Sequence, residues 1–359
     1  MSTTATQATT TVTAPTTTPT GSSIEAAVPA GFAAASVTFV SLRTGWVLGT
    51  APCATPPCTR LLRTSDGGRT WVSVPAPPAP LSEGYTPGVR QVRFANLVDG
   101  WAFGPDLWAT HDGGAHWARP TGLGADAQVM ALETASGVVH AAVLGGSGGP
   151  GVTIHTSPVG TDAWRASSTM VPAGAGPVPH AQLVLHGDVG WLVGVNRTVA
   201  GGARLQRGRW SPWKPPCTEA GGPATLAAST SVDLLAVCDE GVWNDHPRAE
   251  RAYLSADGGT TFHEVATPVP IGDVRGAASP TPKVFVLAGA ASDSTAVLMA
   301  TFDAGTTWKT VDREHVGGGW ADLGFTSPQQ GVVVSTVGEA GRLLMTVDGG
   351  NTWRPVAFQ

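Results

Sequence analysis

Only two tyrosines occur in the 359 residues, Tyr85 and Tyr253, so a tyrosine nucleophile backed by a carboxylate has few places to sit. Tyr85, with Glu83 close by, is the one conceivable pair; Tyr253 falls in a strand-like run just before a repeated turn, where its role is structural. Two carboxylates flanking a sugar bond are the other route to glycoside cleavage. The loops offer several carboxylates without singling out two. The nine histidines are scattered, with no HExxH and no tight cluster, which argues against a metal site. No glycine-rich loop follows a strand and opens a helix, so GGSGGPG (145–151) reads as a flexible turn rather than a phosphate cradle. No cofactor is expected.

Four cysteines bear on the compartment. Cys53 and Cys58 lie in APCATPPCTR, and Cys217 and Cys238 bracket a loop with flanking strands. Neither pair is CxxC and no histidine stands at zinc-ligand spacing, so local disulfides 53–58 and 217–238 are the simplest reading. Disulfides place a chain in an oxidising compartment. Four unpaired thiols in a cytosolic protein are the alternative.

The residue type that recurs most regularly is an aspartate inside an octapeptide. TSDGGRTW (64–71) returns as THDGGAHW (110–117), SADGGTTF (255–262), TFDAGTTW (301–308) and TVDGGNTW (346–353). An Asp two residues after Ser or Thr could suggest metal or catalytic chemistry. Its repetition points instead to a turn: the Gly pair supplies unusual backbone angles and the carboxylate accepts from N–H groups just downstream. Asp66, Asp112, Asp257, Asp303 and Asp348 are therefore expected to hold hairpin tips shut, with Trp71, Trp117, Phe262, Trp308 and Trp353 packing behind them.

Counting the tip aromatics, with degraded copies at Trp164 and Trp210, gives intervals of 46, 47, 46, 52, 46 and 45 residues. Upstream of each tip lies an apolar strand, then a strand opening with Gly-Trp or its equivalent, as in VTFVSLRTGWVLG from Val37, VRFANLVDGWAFG from Val92 and QLVLHGDVGWLVG from Gln182. Four short strands per repeat of this length define a propeller blade. The expected fold is all-β: a seven-bladed β-propeller of four-stranded antiparallel blades over residues 31–359, after a Thr-rich tail at 1–30. Trp46, Trp101 and Trp191 recur in blade register and are expected between blades rather than as a sugar platform.

The pattern TxDGGxTW resembles the Asp-box, or BNR repeat, of sialidases, sortilin-type receptors, some glycoside hydrolases and the photosystem II assembly factor family. The resemblance implies that the tips join third and fourth strands on the face away from the ligand. GWxxG, a strand and then TxDGGxTW is most similar to the single propellers of the assembly-factor type, which implies a non-enzymatic binding or assembly scaffold without implying photosynthesis. A sialidase-like chemistry would further need three converging arginines, an acid/base Asp and an RIP-type motif before the first blades; the motif is absent.

On the face opposite the tips, four stretches stand out as ligand candidates. They are 75–90, with Glu83, Tyr85 and Arg90; the cysteine loop 52–59; 239–251, with Trp243, Asp245, His246, Arg248 and Arg251; and DREH (312–315), with Arg313. The longest insertion, 239–251, is the leading candidate; a solvated loop of mixed charge is the plainer alternative. The expected partner is a protein, with a glycan as the alternative, and a receptor-like extracellular module is a third reading.

Composition bounds the rest. A formal net charge of −5 argues against a nucleic-acid partner. No apolar run reaches transmembrane length. Eleven Thr in the first twenty positions, with no charge or aromatic, predict a disordered tail. The tail resembles the stalk that follows a removed signal or lipid anchor, so an exported bacterial protein of the cell envelope or exterior, monomeric, is expected. Asn196-Arg197-Thr198 matches a glycosylation sequon, relevant only to a eukaryotic secretory route.

Overall fold

The computed structural model describes residues 26–359 apart from 83–85, 125, 146–150, 173–179, 197, 220–223, 240–249, 267, 269–270, 292 and 337–340. Its strands form seven antiparallel sheets in strict chain order, the blades of a seven-bladed β-propeller. Blade 1 is β1 (Ala33–Phe39), β2 (Gly45–Thr50), β3 (Thr59–Thr64) and β4 (Val72–Val74). Blade 2 is β5 (Gln91–Phe94), β6 (Gly100–Phe103) and β7 (Leu107–Thr110), with Ala118 bridging Ala109 in place of a fourth strand. Blade 3 is β8 (Gln128–Ala135), β9 (Val138–Leu144), β10 (Gly151–Pro158) and β11 (Arg165–Pro172). Blade 4 is β12 (His180–His186), β13 (Val189–Asn196), β14 (Thr198–Gln206) and β15 (Arg209–Trp213). Blade 5 is β16 (Ala224–Ala228), β17 (Leu234–Asp239), β18 (Glu250–Ser255) and β19 (His263–Glu264). Blade 6 is β20 (Ile271–Thr281), β21 (Val284–Ala291), β22 (Thr295–Thr301) and β23 (Lys309–Val316). Blade 7 is β24 (Trp320–Phe325), β25 (Gly331–Ser335), β26 (Arg342–Thr346) and β27 (Arg354–Pro355). The first strand of each blade packs against the first strand of the next, and β24 returns to β1.

The Gly-Trp motif has a steric origin. A Cβ on Gly45 would stand 2.7 Å from the Phe39 ring, and one on Gly100 2.6 Å from the Phe94 ring. Only glycine lets the last side chain of the first strand fold over the second. The Trp that follows then turns outward to the next blade. Trp46, Trp101 and Trp191 are fully buried. Trp46 stacks on Phe94 of blade 2 with centroids 3.8 Å apart, Trp101 packs with Val129 and Leu132 of blade 3, and Trp191 with Leu226 of blade 5. Burying an indole of this size contributes roughly 4–6 kcal/mol of transfer free energy before conformational entropy is subtracted.

The octapeptides connect the third and fourth strands of blades 1, 5, 6 and 7, and in blade 2 the third strand to the Ala118 bridge. In blade 1, Asp66 Oδ1 accepts from the Thr70 amide at 3.0 Å and Oδ2 from the Thr70 hydroxyl at 2.7 Å. Thr64 Oγ1 donates to Asp66 Oδ1 at 2.9 Å and accepts from the Gly68 amide at 2.9 Å. The same bonds recur around Asp257, Asp303 and Asp348. In blade 2 His116 Nδ1 replaces the Thr hydroxyl on Asp112 Oδ2 at 2.7 Å. The next amide of each tip bonds the first-to-second strand turn of its own blade, as Gly67 N to Arg43 O at 2.8 Å and Gly258 N to Val232 O at 2.8 Å. Tips and first turns therefore share one face. The departure in blade 6, Ala304 for the first Gly, holds a left-handed φ of 58°. The degraded copy of blade 4 has shrunk to a two-residue turn, Arg207-Gly208.

The ring closes without a shared blade. Ala34 N donates to Gly341 O at 2.8 Å, a contact with no room for a Cβ on Gly341. Ala26 exchanges two backbone bonds with Ser73 on the outer edge of blade 1, and Gln359 O accepts from Trp71 N at 2.9 Å. Phe358 packs edge-on against both Phe32 and Trp71. Both predicted disulfides are formed, Cys53–Cys58 within the β2–β3 loop and Cys217–Cys238 from the blade 4–5 connection to β17.

Candidate functional site in the central channel

The first strands line a central cavity of ≈ 550 Å³. Its rim includes His186, Ser229 and Ser327, from first-to-second strand turns, so it opens on the face that carries the tips. Within it stands a charged network that strand patterning alone does not announce. Arg93 on β5 bonds Glu133 on β8 through Nε at 2.9 Å and Asp322 on β24 through Nη2 at 3.0 Å. Asp322 sits at a β-bulge with a left-handed φ of 49°, which turns its carboxylate across the seam, and its side chain is only 2% exposed.

Each oxygen of Asp322 is occupied. Oδ1 also accepts from Gln91 Nε2 at 3.1 Å; Oδ2 accepts from Val37 N at 3.0 Å and from the Ser36 hydroxyl. Ser36 Oγ accepts in turn from Val92 N at 2.9 Å. One carboxylate thus ties blades 7, 1 and 2, and Arg93 extends the tie to blade 3. Arg93 is half-buried, and against the cost of desolvation the two carboxylates hold its pKa above the ordinary range; burial raises that of Glu133 against the pull of Arg93. These groups neutralise one another and fix the channel wall.

Toward the other end of the channel, Arg90 and Arg275 are near enough for their charges to act on His180. Burial, then the charges of Arg90 and Arg275, hold His180 below its ordinary pKa. Arg275 lines the cavity and pairs with Asp273 at 2.8 Å. Of the candidates from sequence, Arg90 therefore lies toward this end. Arg251 is the second residue of β18 and pairs with Glu264 at 3.4 Å. Arg313 is exposed on β23, so DREH is part of a fourth strand rather than a loop. Glu314 beside it bonds Arg342 of blade 7. The misreading came from the charges: on an outer edge strand they face water and mimic a loop. Glu83, Tyr85, Trp243, Asp245, His246 and Arg248 lie outside the described residues, as does Arg197 of the sequon.

Sequence reading passed over Arg93, Glu133 and Asp322. A signal existed, since VRF, ALE and ADL each place a charge beside apolar first-strand residues. Among the described residues no group of His, Cys, Asp and Glu is arranged to hold a metal ion, and no helix is long and apolar enough to cross a membrane.

The fold and channel define the class as a single seven-bladed propeller. No protein-family model matches the chain, and no curated protein matches it in sequence. Solved structures do match in fold. The chain is similar to YCF48 bound to a D1 peptide, at 20% identity and TM-score 0.61, over 90% of this chain and 95% of that one. It is also similar to YCF48 from Cyanidioschyzon merolae, at 16% identity and TM-score 0.57, over 91% and 99%. A polysaccharide lyase, the PL25 ulvan lyase, aligns at 11% identity and TM-score 0.52, over 93% and 98%.

Proposed function

We propose that the protein is a non-enzymatic, exported binding or assembly scaffold that recognises a protein segment through the face opposite the octapeptide tips. The observation that carries this reading is the end-to-end match to a single propeller solved with a peptide bound. Two further features support it. Arg93, Glu133 and Asp322 are spent on one another, so the channel acts as a rigid frame. Arg90 and Arg275, with His180 between their charges, are the polar groups toward the opposite mouth that a partner could meet. The two disulfides suggest a location outside the cytoplasm. A lipid-anchored precursor and a monomeric state belong to the same proposal, as does the assignment of the tips as Asp-boxes. The ulvan lyase match favours a glycan ligand as the second reading.

The test presents the oxidised protein to a peptide array and a glycan array, and assays fluorogenic sialosides and glucosides on the same sample. The scaffold reading expects peptide binding that weakens in Arg90→Ala and Arg275→Ala, with no glycan signal. Glycan binding or turnover that disappears in Arg248→Ala or Tyr85→Phe would replace it with the carbohydrate reading.

A further inference from the structure

His111 stands second in the blade 2 octapeptide, and both its ring nitrogens face carboxylates. Nδ1 lies 2.8 Å from Asp99 Oδ1, and Nε2 lies 3.0 Å from Asp162 Oδ2. Ionised carboxylates only accept hydrogen bonds. Both nitrogens must then carry hydrogen, and the ring in this geometry is an imidazolium. Asp99 ends the first turn of blade 2, whereas Asp162 lies on the degraded tip of blade 3. The cation therefore bridges two blades.

The surroundings are built to hold it. Asn96 Nδ2 donates to Asp99 Oδ2 at 2.7 Å, and the Asn96 side-chain oxygen accepts from the Val98 and Asp99 amides at 2.8 Å each. Gly160 of blade 3 approaches so closely that a Cβ would stand 3.3 Å from Asp99 Oδ1. Asp162 takes a left-handed φ of 49°, and its Oδ1 is buried without a hydrogen bond. This seam also lacks a bond made at two others. Trp46 Nε1 donates to Gly113 O of blade 2, and Trp191 Nε1 to Gly258 O of blade 5. Trp101, at the same position in blade 2, finds no acceptor on the blade 3 tip.

We propose that Asp99, His111 and Asp162 form a proton-dependent clasp across the blade 2–3 seam, fastened while His111 is protonated and released when it loses the proton. The charged groups acting on the ring are Asp162, from the blade 3 tip, and Asp99, from the blade 2 turn. The other titratable groups of its own tip, Asp112 and His116, pair with each other and cross no seam. Burial opposes the charge, but the bonds and charges of Asp162 and Asp99 outweigh it and raise the His111 pKa above its ordinary 6.5. With the folded value raised, the stabilisation is complete below 6.5 and disappears as pH rises through the folded value. Once deprotonated, one ring nitrogen presents a lone pair to a carboxylate, and the clasp becomes repulsive on that side.

The test combines an NMR titration of His111 with hydrogen–deuterium exchange at about pH 6 and about pH 9, corrected for intrinsic rates. The clasp predicts a titration midpoint above the ordinary histidine value and a several-fold rise in corrected exchange over 157–163 at the higher pH. His111→Gln should show raised exchange at both pH values, and His116→Gln should keep the wild-type response. A midpoint at or below the ordinary value, equal corrected exchange at the two pH values, or an undiminished pH response in His111→Gln would each overturn the proposal. The first two readings need no variant.

Discussion

Two seams of the ring solve the same problem differently. Between blades 7 and 1, where the chain is not continuous, Asp322 collects donors from Ser36, Val37, Gln91 and Arg93 in the protein interior. Between blades 2 and 3, where it is continuous, the indole of Trp101 is buried without a hydrogen bond, and the polar ties are the Arg93–Glu133 pair in the channel and the His111–Asp162 contact at the rim. The difference teaches where directional bonding is needed. A covalent connection already keeps blades 2 and 3 close, so a buried indole without a bond is tolerated there. The closing seam has no such tether and relies on geometry-specific bonds plus the chain ends that overlap blade 1.

The largest expected effect comes from removing the hub of the closing seam. Asp322→Ala leaves a half-buried guanidinium with one carboxylate and strands the buried Val37 amide, together costing about 3–5 kcal/mol in urea unfolding. A cost no larger than that of a surface substitution would remove the distinction between the seams. Next is the disulfide at the blade 4–5 seam. Replacing Cys217 and Cys238 with Ala together should cost about 3 kcal/mol, against about 2 kcal/mol for the shorter Cys53–Cys58 loop. Equal costs, or the reverse order, would show that loop length is not what governs them.

The blade 3–4 seam gives a pH signature opposite to that of the clasp. Buried His140 is neutral and its Nδ1 accepts from Trp210 Nε1 at 3.2 Å. Burial lowers its pKa from 6.5 to about 4. Protonation thus favours the unfolded chain: the contribution is complete above 6.5 and is lost as pH falls toward about 4. Thermal melts should show this acid loss in the wild type and a smaller one in His140→Phe. The smallest effect is the sharpest comparison. Trp46→Phe forfeits a bond to Gly113, while Trp101→Phe removes an orphaned donor, so the first should cost about 1–2 kcal/mol more than the second. Equal costs would mean that the indole bond contributes nothing to the seam.

What the sequence made legible is what repeats locally. The octapeptides, the Gly-Trp strands and both cysteine pairs are each short-range patterns, and each stands where its spacing placed it. The closing network is not local: Asp322 and Arg93 are 229 positions apart and Asp322 and Gln91 are 231 apart, so only a closed ring brings them together. His111 was hidden for a related reason. It occupies a variable position of the repeat, and its second carboxylate lies in a copy too degraded to announce a contact. The strand over 312–315 read as a loop because an outer edge strand carries charges on its solvent side. Its neighbour Glu314 nonetheless bonds Arg342 across the blade 6–7 seam.

The most direct test of the closing-seam account is hydrogen–deuterium exchange on Asp322→Ala under native conditions. If Asp322 closes the ring, exchange should rise in Ala33–Phe39 and Trp320–Phe325 while Leu234–Asp239, across the ring, stays protected as in the wild type. Unchanged protection at β1 and β24, or a uniform rise over all blades, would contradict it.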